Sequence, residues 1–140
     1  MFPMLLMLLL GVQPKLLPAS LPDQFGQDRA LDKEVHWVVI AFERKSGKVL
    51  RQWLRTKPAG FLAERGGAVI VDITRMKPDF YHNTVLPRLM KYQHPILIAK
   101  GLETVPRESE ALTLITFNGQ GEVQATYHPT SPEALEEVLP

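Results

Sequence analysis

Two almost uninterrupted apolar runs, EVHWVVIAF at 34–42 and GGAVIVDI at 66–73, constrain this chain more than any other feature. Both are rich in β-branched residues, and neither alternates polar with apolar positions. Such a run fits a strand buried on both faces, and therefore a sheet covered on two sides. Between the two runs Val49, Leu50, Trp53 and Leu54 recur at helical spacing. The stretch predicts a strand–helix–strand unit with parallel strands joined by a right-handed crossover.

The remaining elements follow from local signals. KPDFYHNTVLPRLMKY (77–92) is a second helical region with Pro78 and Asp79 suited to its first turn. Pro87 removes an internal hydrogen bond there, which predicts a kink or two short helices. HPILIAKG (94–101) is a further short buried strand, with His94 and Pro95 at its entrance. ALTLITF and EVQATY flank NGQG (118–121), a hairpin signal because Asn and Gly tolerate positive φ. Ser131 and Pro132 open a last helix whose apolar stripe is Ala134, Leu135, Val138 and Leu139. The expected fold class is α/β, with a central mixed sheet of two parallel strands plus a C-terminal β-hairpin, flanked by helices in three layers.

Composition narrows function mainly by exclusion. At 140 residues, with 45% hydrophobic and 22% charged residues, the chain has the make-up of one folded domain. A formal net charge of +1 supplies no global field that would draw it to nucleic acid. The absence of cysteine excludes disulfides, thiol catalysis, iron–sulfur clusters and thiolate zinc sites. Met4 to Leu10 forms a short apolar run of signal-peptide type, too short to span a bilayer, and Pro18-Ala19-Ser20 suits a cleavage site before Leu21. No Lys or Arg precedes that run, and Lys15 follows it closely. The alternative is a buried N-terminal helix, which Pro14 and Pro18 would interrupt. The expected organisation is a leader at 1–20 and a domain at 21–140, exported, periplasmic or otherwise, with no stable membrane insertion once the leader is removed.

The element order, together with the lead-in LPDQFGQ (21–27), resembles the thioredoxin-like superfamily over residues 21–140. VDITRMKPDFYHNTVLPRLMKYQHPILIAKG (71–101) is similar to a set of small proteobacterial exported proteins of that kind, through Asp72, Ile73, Met76, Leu86, Pro87, Met90, Tyr92, Pro95 and Gly101. Relatives of that set are sometimes called flavin dehydrogenase-like, yet this chain has no Gly-rich dinucleotide fingerprint after a strand. The resemblance implies a Cys-x-x-Cys at the start of the first helix, where a helix N-terminus lowers a thiol pKa. Arg44-Lys45-Ser46-Gly47 stands there instead. It also implies a cis-proline before the hairpin, where Glu110, Ala111 and Leu112 are found, with Pro106 too far upstream to replace it. It further implies that three segments converge: Arg44, Lys45 and Ser46; the Thr74–Pro78 turn with Arg75; and the loop around Glu110 and Ala111.

Smaller constellations are weighed against plainer readings. ERKSGK (43–48) lacks the leading Gly and the trailing Ser or Thr of a phosphate loop, with Phe42 and Val49 in those places. The N–H groups at Ser46, Gly47 and Lys48, with Arg44 and Lys45, would suit a bound anion; the plainer reading makes Ser46 the helix cap. Arg44, Lys48, Arg51 and Arg55 share one helical face, suited to an acidic partner or anionic lipid headgroups, or simply to water. His36, His82, His94 and His128 follow no metal-helix spacing. Ser46, His36 and Asp72 lack the nucleophile-elbow context of a hydrolase triad. Trp37 and Trp53 read as core. The expectation is a redox-inactive binding module without a cofactor, not an enzyme, using Arg44, Lys45, Ser46, Gly47, Arg75, Glu110 and Ala111 toward a protein partner or a small anion, and no nucleic acid. The alternative is a flavin- or metal-dependent enzyme or ligand carrier on the same scaffold.

Overall fold

The computed structural model describes residues 16–140. Met4–Leu10, and with it the leader expected at 1–20 apart from its last five residues, lies outside the described residues. The chain runs β1 (Ser20–Pro22), β2 (Asp28–Ala30), β3 (Trp37–Ala41), α1 (Arg44–Leu54), α2 (Phe61–Arg65) and β4 (Gly67–Asp72). Next comes α3, built of consecutive segments Pro78–Phe80, Tyr81–Val85 and Leu86–Leu89, followed by β5 (Leu97–Ala99), β6 (Thr113–Phe117), β7 (Val123–Tyr127) and α4 (Pro132–Val138).

Five strands form one mixed sheet in the order β5-β4-β3-β6-β7. β3 pairs parallel with β4, in the register Trp37↔Gly67 to Ala41↔Val71, and antiparallel with β6. β5 adds a third parallel strand beside β4, so the short run at 94–101 extends the parallel half of the sheet. Every residue of β3 is buried, as expected for a strand lined on both sides. One face carries Trp37, Val39, Ala41, Val69 and Val71 against Leu50, Trp53 and Leu54 of α1, Leu62 of α2, Leu89 of α3 and Leu135 of α4. The opposite face, with Val38, Ile40, Ala68 and Ile70, is covered by irregular chain: Leu16, Leu17, Leu21 and Leu31 around the β1–β2 hairpin, and Leu102 and Val105. Helices therefore flank one face, and the N-terminal segment closes the other.

Trp37, Trp53 and Phe61 meet edge to face with ring centroids 5.8–6.4 Å apart. Both tryptophans are core residues, and each finds a hydrogen-bond acceptor: Trp37 donates to the Arg65 carbonyl at 3.0 Å and Trp53 to the Glu136 carboxylate at 2.8 Å. Glu136 also pairs with Lys57 and so ties α4 to α1. The Lys57 hydrogen bond holds the Glu136 carboxyl below its ordinary range, opposed by partial burial and assisted by the Trp53 indole. Ser131 caps α4 through the Ala134 N–H at 3.0 Å, with Pro132 in the first turn.

The break expected at Pro87 takes the form of a π turn. The Leu86 N–H reaches back five residues to the Tyr81 carbonyl, so the helix is widened over Tyr81–Val85, ending two residues before the proline. The hairpin at 118–121 is closed by the Asn118 side chain, whose carbonyl accepts the N–H groups of Gln120 and Glu122, and by Gly121 at φ 79°.

Candidate functional site

Helix α1 starts at Arg44, with Glu43 in extended conformation as its N-cap residue. Ser46 is therefore not the cap; it sits fully buried in the first turn, and its hydroxyl accepts the Glu43 N–H at 3.3 Å and donates to the Glu43 carbonyl at 3.1 Å. The Gly47 N–H is also committed, to the Glu43 carbonyl at 2.9 Å, so it is not free to hold an anion. The starting point moved because the extended strand conformation persists through Glu43 and the helical turn closes on that residue's carbonyl.

A negative charge already stands at this helix end, where the dipole favours it. The Glu43 carboxylate accepts from Arg107 Nε at 2.9 Å and from Arg75 at 3.3 Å. Arg107 also donates to the Phe42 carbonyl at 2.6 Å and lies 3.7 Å from the buried Asp72 carboxylate. Asp72 in turn accepts the N–H groups of Thr74 and Leu102 at 2.9 and 3.2 Å. Lys45 pairs with Glu110 at 2.5 Å. Through these pairs the segments around Arg44, Arg75 and Glu110 are brought together, and Ala111 is buried behind them. The cluster consumes its own charge. Of Arg44, Lys45 and Arg75, only Arg44 lacks a carboxylate partner among the described residues, and it stacks over the Phe80 ring at 5.5 Å.

One turn further along α1 the balance changes. A cleft of about 670 Å³ lies between α1 and the end of α3, lined by Lys48, Arg51, Arg55, Lys57, Arg88 and Lys91 and by no acidic residue. Lys57 is paired with Glu136, whereas the other five have no carboxylate within 4.0 Å among the described residues. Arg51 is half-buried. Desolvation, together with the nearby Arg88, Arg55 and Arg44, pulls its guanidinium below the ordinary range, and Tyr92 acts in the opposite direction. Arg55 stacks over the Tyr92 ring at 5.8 Å. The Tyr92 hydroxyl is shielded from solvent and has no hydrogen-bond partner among the described residues. An anion seated here meets several charge-assisted donors without displacing any carboxylate.

Arg44, Lys48, Arg51 and Arg55 were visible in the sequence as one helical face; Arg88, Lys91 and Tyr92 were not connected with them. Their only local signal is Arg88, Lys91 and Tyr92 at helical spacing after Pro87. The apposition depends on how α3 packs across α1.

The other candidate groups stay apart. His36 donates its backbone N–H to Gly66 at the start of β4, while Asp72 ends that strand six residues on, roughly 20 Å away at strand rise. No triad with Ser46 can assemble. His94 is buried with Nε2 3.2 Å from the Lys57 carbonyl, and His82 lies edge-on to Tyr81. Among the described residues no three His, Asp or Glu side chains gather to hold a metal ion, and no helix is long and apolar enough to cross a membrane.

No protein-family model and no curated protein matches the chain. Solved structures do match it in fold. A protein assigned as the thiol:disulfide interchange protein DsbE from Chlorobium tepidum aligns at 19% identity over 88% of this chain and 91% of that chain, with a TM-score of 0.54. A SCO1/SenC family lipoprotein from Bacillus anthracis aligns at 10% identity over 91% and 94%, with a TM-score of 0.53. StoA from Bacillus subtilis aligns at 18% identity over 86% and 98%, with a TM-score of 0.51. The chain has a thioredoxin-like fold built without a cysteine.

Proposed function

We propose that this protein is a binding module on a thioredoxin-like scaffold, without thiol–disulfide chemistry, that accepts an anionic ligand or an acidic protein partner in the cleft between α1 and α3. The observation that carries this reading is the set of five cations, Lys48, Arg51, Arg55, Arg88 and Lys91, around a cleft with no acid in its lining. Like charges at helical spacing each cost tenths of a kcal/mol in the unliganded fold. A bound anion removes that repulsion and gains charge-assisted hydrogen bonds of about 1.5–3 kcal/mol each. After association costs, a small inorganic anion is held at roughly millimolar strength, and a larger acidic ligand more tightly. At the N-terminus of α1, by contrast, Glu43 already occupies the place an incoming anion would take.

Calorimetric titration with inorganic phosphate and with soluble poly-glutamate tests this. Both should bind, the polymer more tightly and with strong weakening by salt. Arg51→Gln combined with Arg88→Gln should weaken both by roughly tenfold or more, with a melting temperature equal to or above that of the parent because repulsion is relieved. Lys45→Ala should leave binding unchanged, since Lys45 is engaged by Glu110. Binding that ignores the double substitution would reject the cleft as the site.

The proposal includes export after removal of residues 1–20, supported by the apolar run Met4–Leu10 and by the cleavage-type residues Pro18-Ala19-Ser20. N-terminal sequencing of protein from its own cell should read from near Leu21. Intact Met1 on soluble cytosolic protein would overturn it. Cleavage there removes only Ser20 from β1 and leaves Leu21 and Pro22 paired with Arg29 and Asp28.

A further inference from the structure

We infer that the ligand of this cleft is an anionic amphiphile: a single apolar chain or ring system ending in one carboxylate or phosphate head. The inference rests on the anion-accepting reading above and adds the chemistry of the rest of the molecule. A second cavity of about 680 Å³ adjoins the cationic cleft, and Lys48, Arg51, Leu54 and Arg88 belong to the walls of both. Its lining is mostly apolar, with Leu50, Val71, Met76, Phe80, Val85 and Leu89, and it also takes in the ion-paired Glu43, Asp72 and Lys45 and the Arg44 guanidinium. Each space falls within the roughly 300–1,000 Å³ of small-molecule sites. The groove thus presents a cationic end and an apolar end, with Arg51 and Arg88 at the boundary.

Four local features fit such an occupant. The π turn of α3 contributes Thr84 and Val85 to the apolar wall, so the widened part of that helix borders the cavity. Gly47 is buried in α1, where glycine is less favourable than alanine. A Cβ there would lie 3.3 Å from an Arg51 guanidinium nitrogen, so the missing side chain leaves room for that guanidinium against the helix at the boundary. Phe80, large and 37% exposed, belongs to the wall of the apolar end, beneath the Arg44 guanidinium. At the polar end Tyr92 lines the cleft, its hydroxyl shielded from solvent and without a partner among the described residues. A nucleic acid or an acidic peptide would satisfy the cations but leave the apolar cavity unused. An amphiphile satisfies both.

The test is calorimetry on the full chain with monomeric dodecyl phosphate, inorganic phosphate and dodecyl maltoside, the last having the same tail and no charge. Dodecyl phosphate should bind about a hundredfold or more tightly than inorganic phosphate, because tail burial adds to the head contacts, and dodecyl maltoside should bind far more weakly than dodecyl phosphate. Arg51→Gln with Arg88→Gln should weaken dodecyl phosphate by about tenfold or more. Phe80→Ser, at a position exposed enough to leave folding intact, should weaken dodecyl phosphate and not inorganic phosphate. If inorganic phosphate and poly-glutamate bind and the tail adds nothing, the amphiphile is rejected while the anion-accepting reading stands. If none of these anions binds, both fall. Equal binding of the two dodecyl compounds would overturn the role of the head charge. Binding to anionic phospholipid vesicles without binding of monomeric dodecyl phosphate would make the face a membrane-surface contact and overturn the groove assignment.

Discussion

Replacing Gly67 with alanine should destabilise the fold by about 3 kcal/mol, at the upper end of overpacking effects, and lower the melting temperature by roughly 10 °C for a domain of this size. An alanine Cβ at this position would lie 2.1 Å from Cζ2, 2.3 Å from Cη2 and 2.5 Å from Cε2 of Trp37. These separations are far inside van der Waals contact, so one side must move. The indole is 1% exposed, wedged against Trp53 and Phe61, and tethered to the Arg65 carbonyl. The backbone cannot retreat either, because Trp37 and Gly67 are direct partners in the central parallel pair. Thermal unfolding followed by circular dichroism checks the size of the loss. Gly119→Ala is the matched control: nothing lies within 4 Å of its added Cβ, and its φ is not positive. The same Gly67→Ala change in a Trp37→Leu background should cost little. A Gly67→Ala protein melting with the parent would show that the indole has another place to go.

That glycine illustrates how far the sequence could be read. The doublet Gly66-Gly67 marked a strand start, and the apolar runs at 34–42 and 66–73 identified buried strands, because burial on both faces leaves no alternation to misread. Which glycine faces an indole depends on the pairing of β3 with β4, which local signals do not set. Pro87 announced an interruption in α3 but not its form, since a kink, a break and a π turn all accommodate the missing N–H. The convergence of Arg44, Arg75 and Glu110 came from the resemblance to thioredoxin-like chains. The ion pairs that close that junction involve Arg107, 64 residues from Glu43 and without any local pattern. The cationic cleft was half legible: the stripe on α1 follows from spacing, whereas the apposition of Arg88 and Lys91 is a packing result. Gln24 was the largest omission. It reads as one polar residue in a turn, yet it is 3% exposed and joins segments about 70 residues away.

Gln24→Met should cost about 3–4 kcal/mol, the sum expected when buried hydrogen-bonding groups lose their partner at about 1–3 kcal/mol each. The Gln24 amide nitrogen donates to the carbonyls of His94 at 2.7 Å and Leu89 at 3.3 Å, and its oxygen accepts the Ile96 N–H at 2.8 Å. One side chain from the β1–β2 turn thus serves the end of α3 and the entrance to β5, beside the Asp23↔Leu97 bridge. Methionine matches its length and packing but restores none of these bonds, so the loss reports hydrogen bonding rather than a cavity. Gln24→Glu separates the contributions further. Its carboxylate can accept the Ile96 N–H but would face the carbonyl oxygens of His94 and Leu89, which disfavours the ionised form and raises the folded-state pKa. A raised carboxyl pKa makes the native state the stronger proton binder. The deficit of this variant relative to the parent should therefore grow as pH rises through the unfolded-state value near ~4.3 and level off above the raised value. Denaturant unfolding at about pH 4 and pH 7 measures both effects. A Met variant within 1 kcal/mol of the parent, or a Glu deficit independent of pH, would refute this account of the clamp. Because His94 lines the cationic cleft and Ile96 its apolar neighbour, loosening of this clamp should also weaken anion binding in the Met variant even under conditions where it remains folded.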